Sequence, residues 1–123
     1  MKRNYFDQWI EFTKKQKQIE EQLESKLKED SQLTLNEYYV LYYLNESERG
    51  KMRLSDLEKK LFLSQSAMSR LISRMENKNC GVIQRSCCED DKRGMYLSIT
   101  SKGMNTLASA SVLVDHILKN ELK

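Results

Sequence analysis

Proline is absent from this 123-residue chain, and glycine occurs only four times. With the strongest helix breaker missing, long uninterrupted helices are open to it. Also missing is any apolar run near the roughly 20 residues that a bilayer-spanning helix needs. The opening stretch MKRNYFDQWIEF carries charge throughout and has no apolar signal core. Cysteine is scarce: three residues, two of them adjacent, do not make the disulfide framework of a secreted domain. These absences point to a cytoplasmic protein that makes no membrane contact. The sequence has no glycine-rich phosphate loop, no nucleophile elbow and no paired-histidine metal motif. No enzymatic activity and no cofactor are therefore expected.

What is present is a charged, globular balance, with 39% apolar and 32% charged residues. The length suits one domain, residues 1–123, with a modest core. Net charge is only +3, but its distribution is uneven. Residues 1–63 hold twelve bases and twelve acids, so the whole excess lies in residues 64–123. Within residues 64–88, Arg70, Arg74, Lys78 and Arg85 face only Glu76. A local positive patch in a near-neutral chain suggests a polyanion touched at one place.

Residues 4–29 place Tyr5, Trp9, Phe12, Ile19, Leu23 and Leu27 at helical spacing among Lys, Glu and Gln. Such a helix is longer than a core of this size can cover, and it reads as a dimerisation element. Thr34 and Glu37 have capping-box spacing and open a second helix, with Leu35, Tyr38, Leu41 and Tyr42 facing in. After a polar break at residues 45–51, Ser55 and Glu58 repeat that spacing and predict a short third helix carrying Leu57 and Leu61. A tight connection at residues 61–64 leads to a fourth helix over residues 64–78. The period then changes to two. Residues 82–85 and 95–99 are strand candidates, and they read as a hairpin. Thr100 caps a last helix striped by Met104, Leu107, Ala108, Ser111, Val114 and Leu118. The expected order is α-α-α-α-β-β-α, mainly helical with a small β-hairpin.

Ala67, Met68, Leu71, Ile72 and Met75 mark the core side of the fourth helix. The opposite side reads Gln65, Ser66, Ser69, Arg70, Ser73, Arg74 and Asn77, with no acid among them. An ordinary solvent face mixes Glu with Lys, as the first helix does. Short serines allow close approach, Arg can pair with guanine and Gln with adenine, so this face suits a DNA major groove. Two helices joined by a tight turn form a helix-turn-helix, and a hairpin immediately after makes it a winged one. The candidate DNA-contacting residues are Ser64, Gln65, Ser66, Ser69, Arg70 and Arg74, with Asp91, Lys92 and Arg93 at the wing tip. There the acids are awkward beside phosphate. Asp91, two residues from Arg93, reads as a buttress that holds the guanidinium fork in place. Gly94 lets the backbone return into the second strand.

The stretches LTLNEYYVLYYL, LSDLEKKLFLSQSAMSRLISRMENK and DDKRGMYLSITSKG resemble the MarR-type family of bacterial winged-helix transcription regulators. The similarity covers about residues 30–105, and the Asp-x-Arg-Gly tip followed by Thr-x-x-Gly carries most of its specificity. The resemblance implies a homodimer built from the first and last helices, residues 1–30 and 100–123. It also implies a palindromic double-stranded DNA operator and, usually, repression. By the same resemblance Arg93 enters the minor groove, Asp91 holds it, and the start of the fourth helix reads the major groove. Two features depart from the pattern: Asn79 and Cys80 look like extra residues before the wing, and no sixth helix is legible.

Members of that family often bind small phenolic or lipid-like effectors. Trp9, Phe12, Tyr38, Tyr39, Tyr42 and Tyr43 could line a pocket for a small aromatic one, although such a cluster is more often plain core. Cys87 and Cys88 beside Lys92 and Arg93 allow redox sensing, but a bridge between neighbours is strained and nearby acids disfavour the thiolate. Cys80, Cys87, Cys88 and His116 have no standard metal-ligand spacing. The alternative to a DNA-binding regulator is a winged-helix protein-interaction module. That reading calls for acids or apolar residues on the exposed face of the fourth helix, where none occur.

Overall fold

The computed structural model describes residues 4–77, 81–88 and 91–122, the side chains at 87, 88 and 91–93 excepted. Helix α1 (Tyr5–Ser31) starts at Asn4, whose Oδ1 accepts the Asp7 amide at 2.8 Å. It stops at Gln32, which turns left-handed and gives its N–H back to the Leu27 and Lys28 carbonyls. Helix α2 (Leu35–Glu46) opens on the expected capping box: Thr34 Oγ1 accepts the Glu37 amide at 3.1 Å and Glu37 Oε1 accepts the Thr34 amide at 2.8 Å. Glu24 of α1 accepts the Leu35 amide at 3.1 Å, so a second carboxylate sits at the positive end of this helix.

Helix α2 lies in the middle of the fold, against α1, later helices and the sheet. It therefore buries Val40 and Leu44 as well as Leu35, Tyr38 and Leu41. Tyr42, expected inside, is 45% exposed. A single-stripe reading fails here because the helix is covered on more than one side.

A three-residue strand, β1 (Lys51–Arg53), follows a 3-10 turn at Glu48–Gly50 and corrects the expected order. The sequence KMR alternates over only three residues, too few to read as a strand. Its strand conformation comes from its partner β3 (Asp91–Ile99), with Lys51 opposite Ser98, Met52 opposite Leu97 and Arg53 opposite Tyr96. Gly50 enters this strand at φ 64, where a Cβ would stand 2.9 Å from the Ile99 side chain. Helix α3 (Leu54–Leu61) begins directly after the strand with Arg53 in the cap position and no side-chain cap. The expected Ser55 box is thus absent. Arg53 is pinned in the ladder, the helix starts at once, and Ser55 lies inside its first turn. Leu57 and Leu61 are buried as expected.

Helix α4 (Gln65–Glu76) is capped by Ser64, whose Oγ accepts the Ala67 amide at 3.2 Å. Met68, Leu71, Ile72 and Met75 are buried, and Ala67 is half-buried. Strand β2 (Ile83–Cys88) completes a three-stranded antiparallel sheet in the order β1-β3-β2. Both hairpin strands are longer than expected and take up much of the charged segment. Between Cys87 and Cys88 the register shifts: Cys87 faces Met95 whereas Cys88 faces Asp91. Lys92, Arg93 and Gly94 thus stand across a single step of β2, an irregularity in the ladder.

Helix α5 (Ser101–Glu121) is capped by Thr100, whose Oγ1 accepts the Gly103 amide at 3.0 Å and donates to the Gly81 carbonyl at 2.7 Å. Gly103 presses on the Val82 carbonyl so closely that a Cβ there would overlap its oxygen. The buried stripe is Gly103, Leu107, Ala110, Val114 and Ile117. That is rotated from the expected one, which shares only Leu107 and Val114, and Met104 and Ala108 are exposed. Gly103, Ala110 and Ile117 are buried where Met104, Ser111 and Leu118 were expected, a shift of one residue around the helix.

Candidate nucleic-acid interface

Helices α3 and α4 are joined by Phe62, Leu63 and Ser64 alone. Leu61, Leu63 and the buried side of α4 hold the pair against the core. The outer side of α4 is then set by its 3.6-residue period. Ser64, Gln65, Ser66, Ser69, Arg70, Ser73, Arg74 and Asn77 are all exposed, so every α4 residue assigned to DNA lies on one open face. Ser64 Oγ and Ser66 Oγ are 3.4 Å apart at its leading end. Arg74 leans back toward α2: its Nε is 3.8 Å from Glu37 Oε2, which is almost buried in the capping box. Arg74 is the counter-charge for that carboxylate while its side chain stays mostly in solvent.

Arg85 does not add to the positive patch as its sequence position suggests. Its Nη2 and Nε reach Glu76 Oε1 and Oε2 at 2.6 and 3.0 Å, a two-pronged pair. Donating these hydrogen bonds to Glu76 holds the guanidinium more firmly protonated than usual, against a smaller opposing effect of burial. Glu76 ends α4, where the helix dipole disfavours an acid, and Arg85 offsets that on the adjoining strand. The pair ties α4 to the wing. The wing-tip side chains of Asp91, Lys92 and Arg93 lie outside the described residues. So do Lys78, Asn79, Cys80 and the side chains of Cys87 and Cys88, so the buttress, the thiol pair and the cysteine metal set have no geometry here.

Sequence reading missed one basic cluster because the first half of the chain sums to zero charge. On β1, Lys51 Nζ stands 5.0 Å and the Arg53 guanidinium 5.5 Å from the Tyr96 ring centre. Arg53 Nε also donates to the Tyr96 hydroxyl at 3.1 Å. The signal was present as Lys-x-Arg at the period of a strand, and only the sheet shows that both residues share a face.

A groove of about 1020 Å³ lies between α1, α2 and α5. Five of the six aromatics proposed for a pocket line it, Phe12, Tyr38, Tyr39, Tyr42 and Tyr43, whereas Trp9 does not. Burial raises the Tyr38 and Tyr39 hydroxyls above the ordinary tyrosine value, with a smaller push from nearby Tyr42 and Glu20 respectively. Both are neutral donors at physiological pH. Among the described residues no group of His, Cys, Asp or Glu is placed to hold a metal, and no helix is long and apolar enough to cross a membrane. The open α4 face offers hydrogen-bond donors, acceptors and guanidinium groups, which is the chemistry of recognition.

A family model described as transcriptional regulator SarA/Rot matches residues 22–109. No curated protein matches the chain by sequence. Among solved structures, the chain is similar to AbsC, a MarR family transcriptional regulator from Streptomyces coelicolor, at 30% identity and a TM-score of 0.86, over 98% of this chain and 81% of that one. Sco3205, a MarR family transcriptional regulator from the same organism in complex with DNA, is 25% identical at a TM-score of 0.86, over 98% and 76%. NadR in complex with 4-hydroxyphenylacetate shares the fold at 17% identity and a TM-score of 0.75, over 90% and 75%.

Proposed function

The chain belongs to the SarA/Rot and MarR-type family of winged-helix transcriptional regulators, and on that premise we propose that it binds a palindromic DNA operator as a homodimer and represses transcription there. It would act in the cytoplasm. The observation that carries this reading is the acid-free open face of α4, directly followed by a hairpin wing. Ser64, Gln65, Ser66, Ser69 and Arg70 would meet base edges and the leading phosphates. Arg74 would bridge to the backbone, Lys92 would take phosphate, and Arg93, held by Asp91, would probe the minor groove. The DNA complex of Sco3205 supports this assignment at the level of the family.

Residues 1–30 and 100–123 would form the dimer. Tyr5, Trp9 and Phe12 are 87%, 57% and 61% exposed, and no residue from 5 to 18 is buried. That half of α1 has an apolar surface that this chain does not cover. A dimer would set two recognition helices on half-sites about one helical turn apart, roughly 10 bp. The tyrosine-lined groove would accept a small aromatic effector, a reading that the 4-hydroxyphenylacetate held by NadR supports.

The test is the salt response of binding to duplex DNA selected by the protein from random sequences. A regulator loses affinity on the order of a thousandfold between 50 and 200 mM salt. A flat response, with no sequence enriched, would leave the protein-interaction reading in its place.

A further inference from the structure

Phe62 ends α3 at φ 52, in the left-handed region. That conformation costs a bulky residue energy that glycine or asparagine avoids. Among the described residues two other non-glycine residues adopt it, Gln32 and Arg49, and both are polar. Phe62 differs because its ring is 95% exposed while Leu61 before it is buried. Within this chain the ring gains almost no burial to offset the backbone strain. One exposed aromatic ring is ordinary, but backbone strain kept at that residue points to a role outside the fold.

Its position limits what that is. Phe62 lies two residues before Ser64, the cap of α4, so its backbone is within about 7 Å of the leading end of the recognition face. The rest of that face, from Ser64 to Asn77, is polar. On the base edges of a major groove the one apolar group is the thymine 5-methyl. We propose that Phe62 is a specificity-determining residue whose ring packs on a thymine methyl at the edge of each half-site, beside the bases met by the start of α4. This rests on the DNA-binding reading above.

The experiment uses the full chain and the duplex that it selects from random sequences. Each thymine is replaced in turn by uracil, which removes only the methyl. Wild type should lose about fourfold in affinity at one position per half-site, the value of one buried methyl. Phe62→Gly and Phe62→Asn should bind the thymine duplex about fourfold or more weakly and be indifferent to uracil at that position. Phe62→Gly should also melt a few degrees higher, since glycine relieves the strained φ. Lower affinity would then accompany a more stable fold, which a structural role for the ring does not produce. Wild type indifferent to every uracil, or variants as sensitive as wild type, would overturn the proposal. So would variants that bind DNA normally yet fail to regulate a reporter, because the ring would then meet a protein. Failure of wild type to select any sequence would instead bring down the DNA-binding reading itself, before a variant is made.

Discussion

Two of the open helical faces of this chain have opposite chemistry. One runs along the first half of α1 and onto α5, with Tyr5, Phe6, Trp9, Phe12, Val112 and Leu122 exposed. The other is the outer side of α4, with serines, Gln65, Arg70 and Arg74. Both follow the same helical period. An apolar face loses free energy at about 25 cal/mol per Å² while it stays wet, so a partner of like surface relieves it. A polar face loses nothing in water and gains only from a ligand that matches its hydrogen bonds and charge. A face like the first suits a second copy of the chain, and one like the second suits a polyanion.

The strongest way to break this contrast is to remove the joint between the two regions. Gly103 seats α5 on Val82, just before β2, and a Cβ would collide with backbone, which does not yield as a side-chain tip does. Gly103→Ala should cost about 3 kcal/mol or more of stability, seen as a large drop in melting temperature, and it should weaken dimerisation and DNA binding together.

Next in size is the apolar face alone. Trp9→Glu with Phe12→Glu places charge on exposed positions, so the monomer fold should persist with unchanged circular dichroism. Sedimentation at micromolar concentration should show loss of the dimer, and operator affinity should fall on the order of a hundredfold as the half-sites are no longer bound together. A double variant that remains dimeric would place the interface elsewhere.

Changes on the polar face should be smaller and selective. Arg70→Ala and Ser66→Ala should each cost about 1–3 kcal/mol of discrimination between operator and random DNA. Lys92→Ala should weaken all sequences alike, as a phosphate contact does. Equal losses on both DNAs for all three variants would mean that the recognition face is placed wrongly.

The two faces also differ in how far the sequence disclosed them. On α4 the split between Met68, Leu71, Ile72 and Met75 and the polar remainder was complete, because one side of the helix is buried and the other is open. The caps at Thr34 and Thr100 were equally legible, being local hydrogen bonds at fixed spacing. The stripe on α5 was misplaced by a small rotation: Gly103, Ala110 and Ile117 are buried where Met104, Ser111 and Leu118 were expected, and nothing local shows which side of the helix α1 and α2 cover. Strand β1 was missed because its conformation comes from pairing with β3, about 45 residues away. Arg85 looked like free charge because nothing local shows that it meets Glu76, nine residues earlier.

That pair supports the smallest and sharpest test of how the polar face is held. Glu76 and Arg85 are partly exposed, so their pair adds only about 0.2–1 kcal/mol to stability. Two backbone bonds also brace the joint, Gly81 N–H to the Asn77 carbonyl at 2.7 Å and Val82 N–H to the Met75 carbonyl at 3.3 Å. Removing either side chain should therefore leave the fold intact and loosen only the angle between α4 and the wing. The sign of the effect on DNA binding separates two explanations. If the pair acts only through charge near phosphate, Glu76→Ala should tighten binding and Arg85→Ala should weaken it. If it holds the wing in register with the recognition helix, both should weaken operator binding by about two- to fivefold, because a looser wing loses more freedom on docking. The double variant should then be no worse than either single one. Exchanging the two residues keeps the net charge and the pair, and should recover most of the loss. Affinity for the selected duplex at two salt concentrations reads wild type and all four variants. If Glu76→Ala binds more tightly than wild type at both, the pair is plain charge compensation at a helix end, and the wing takes its angle from the backbone alone.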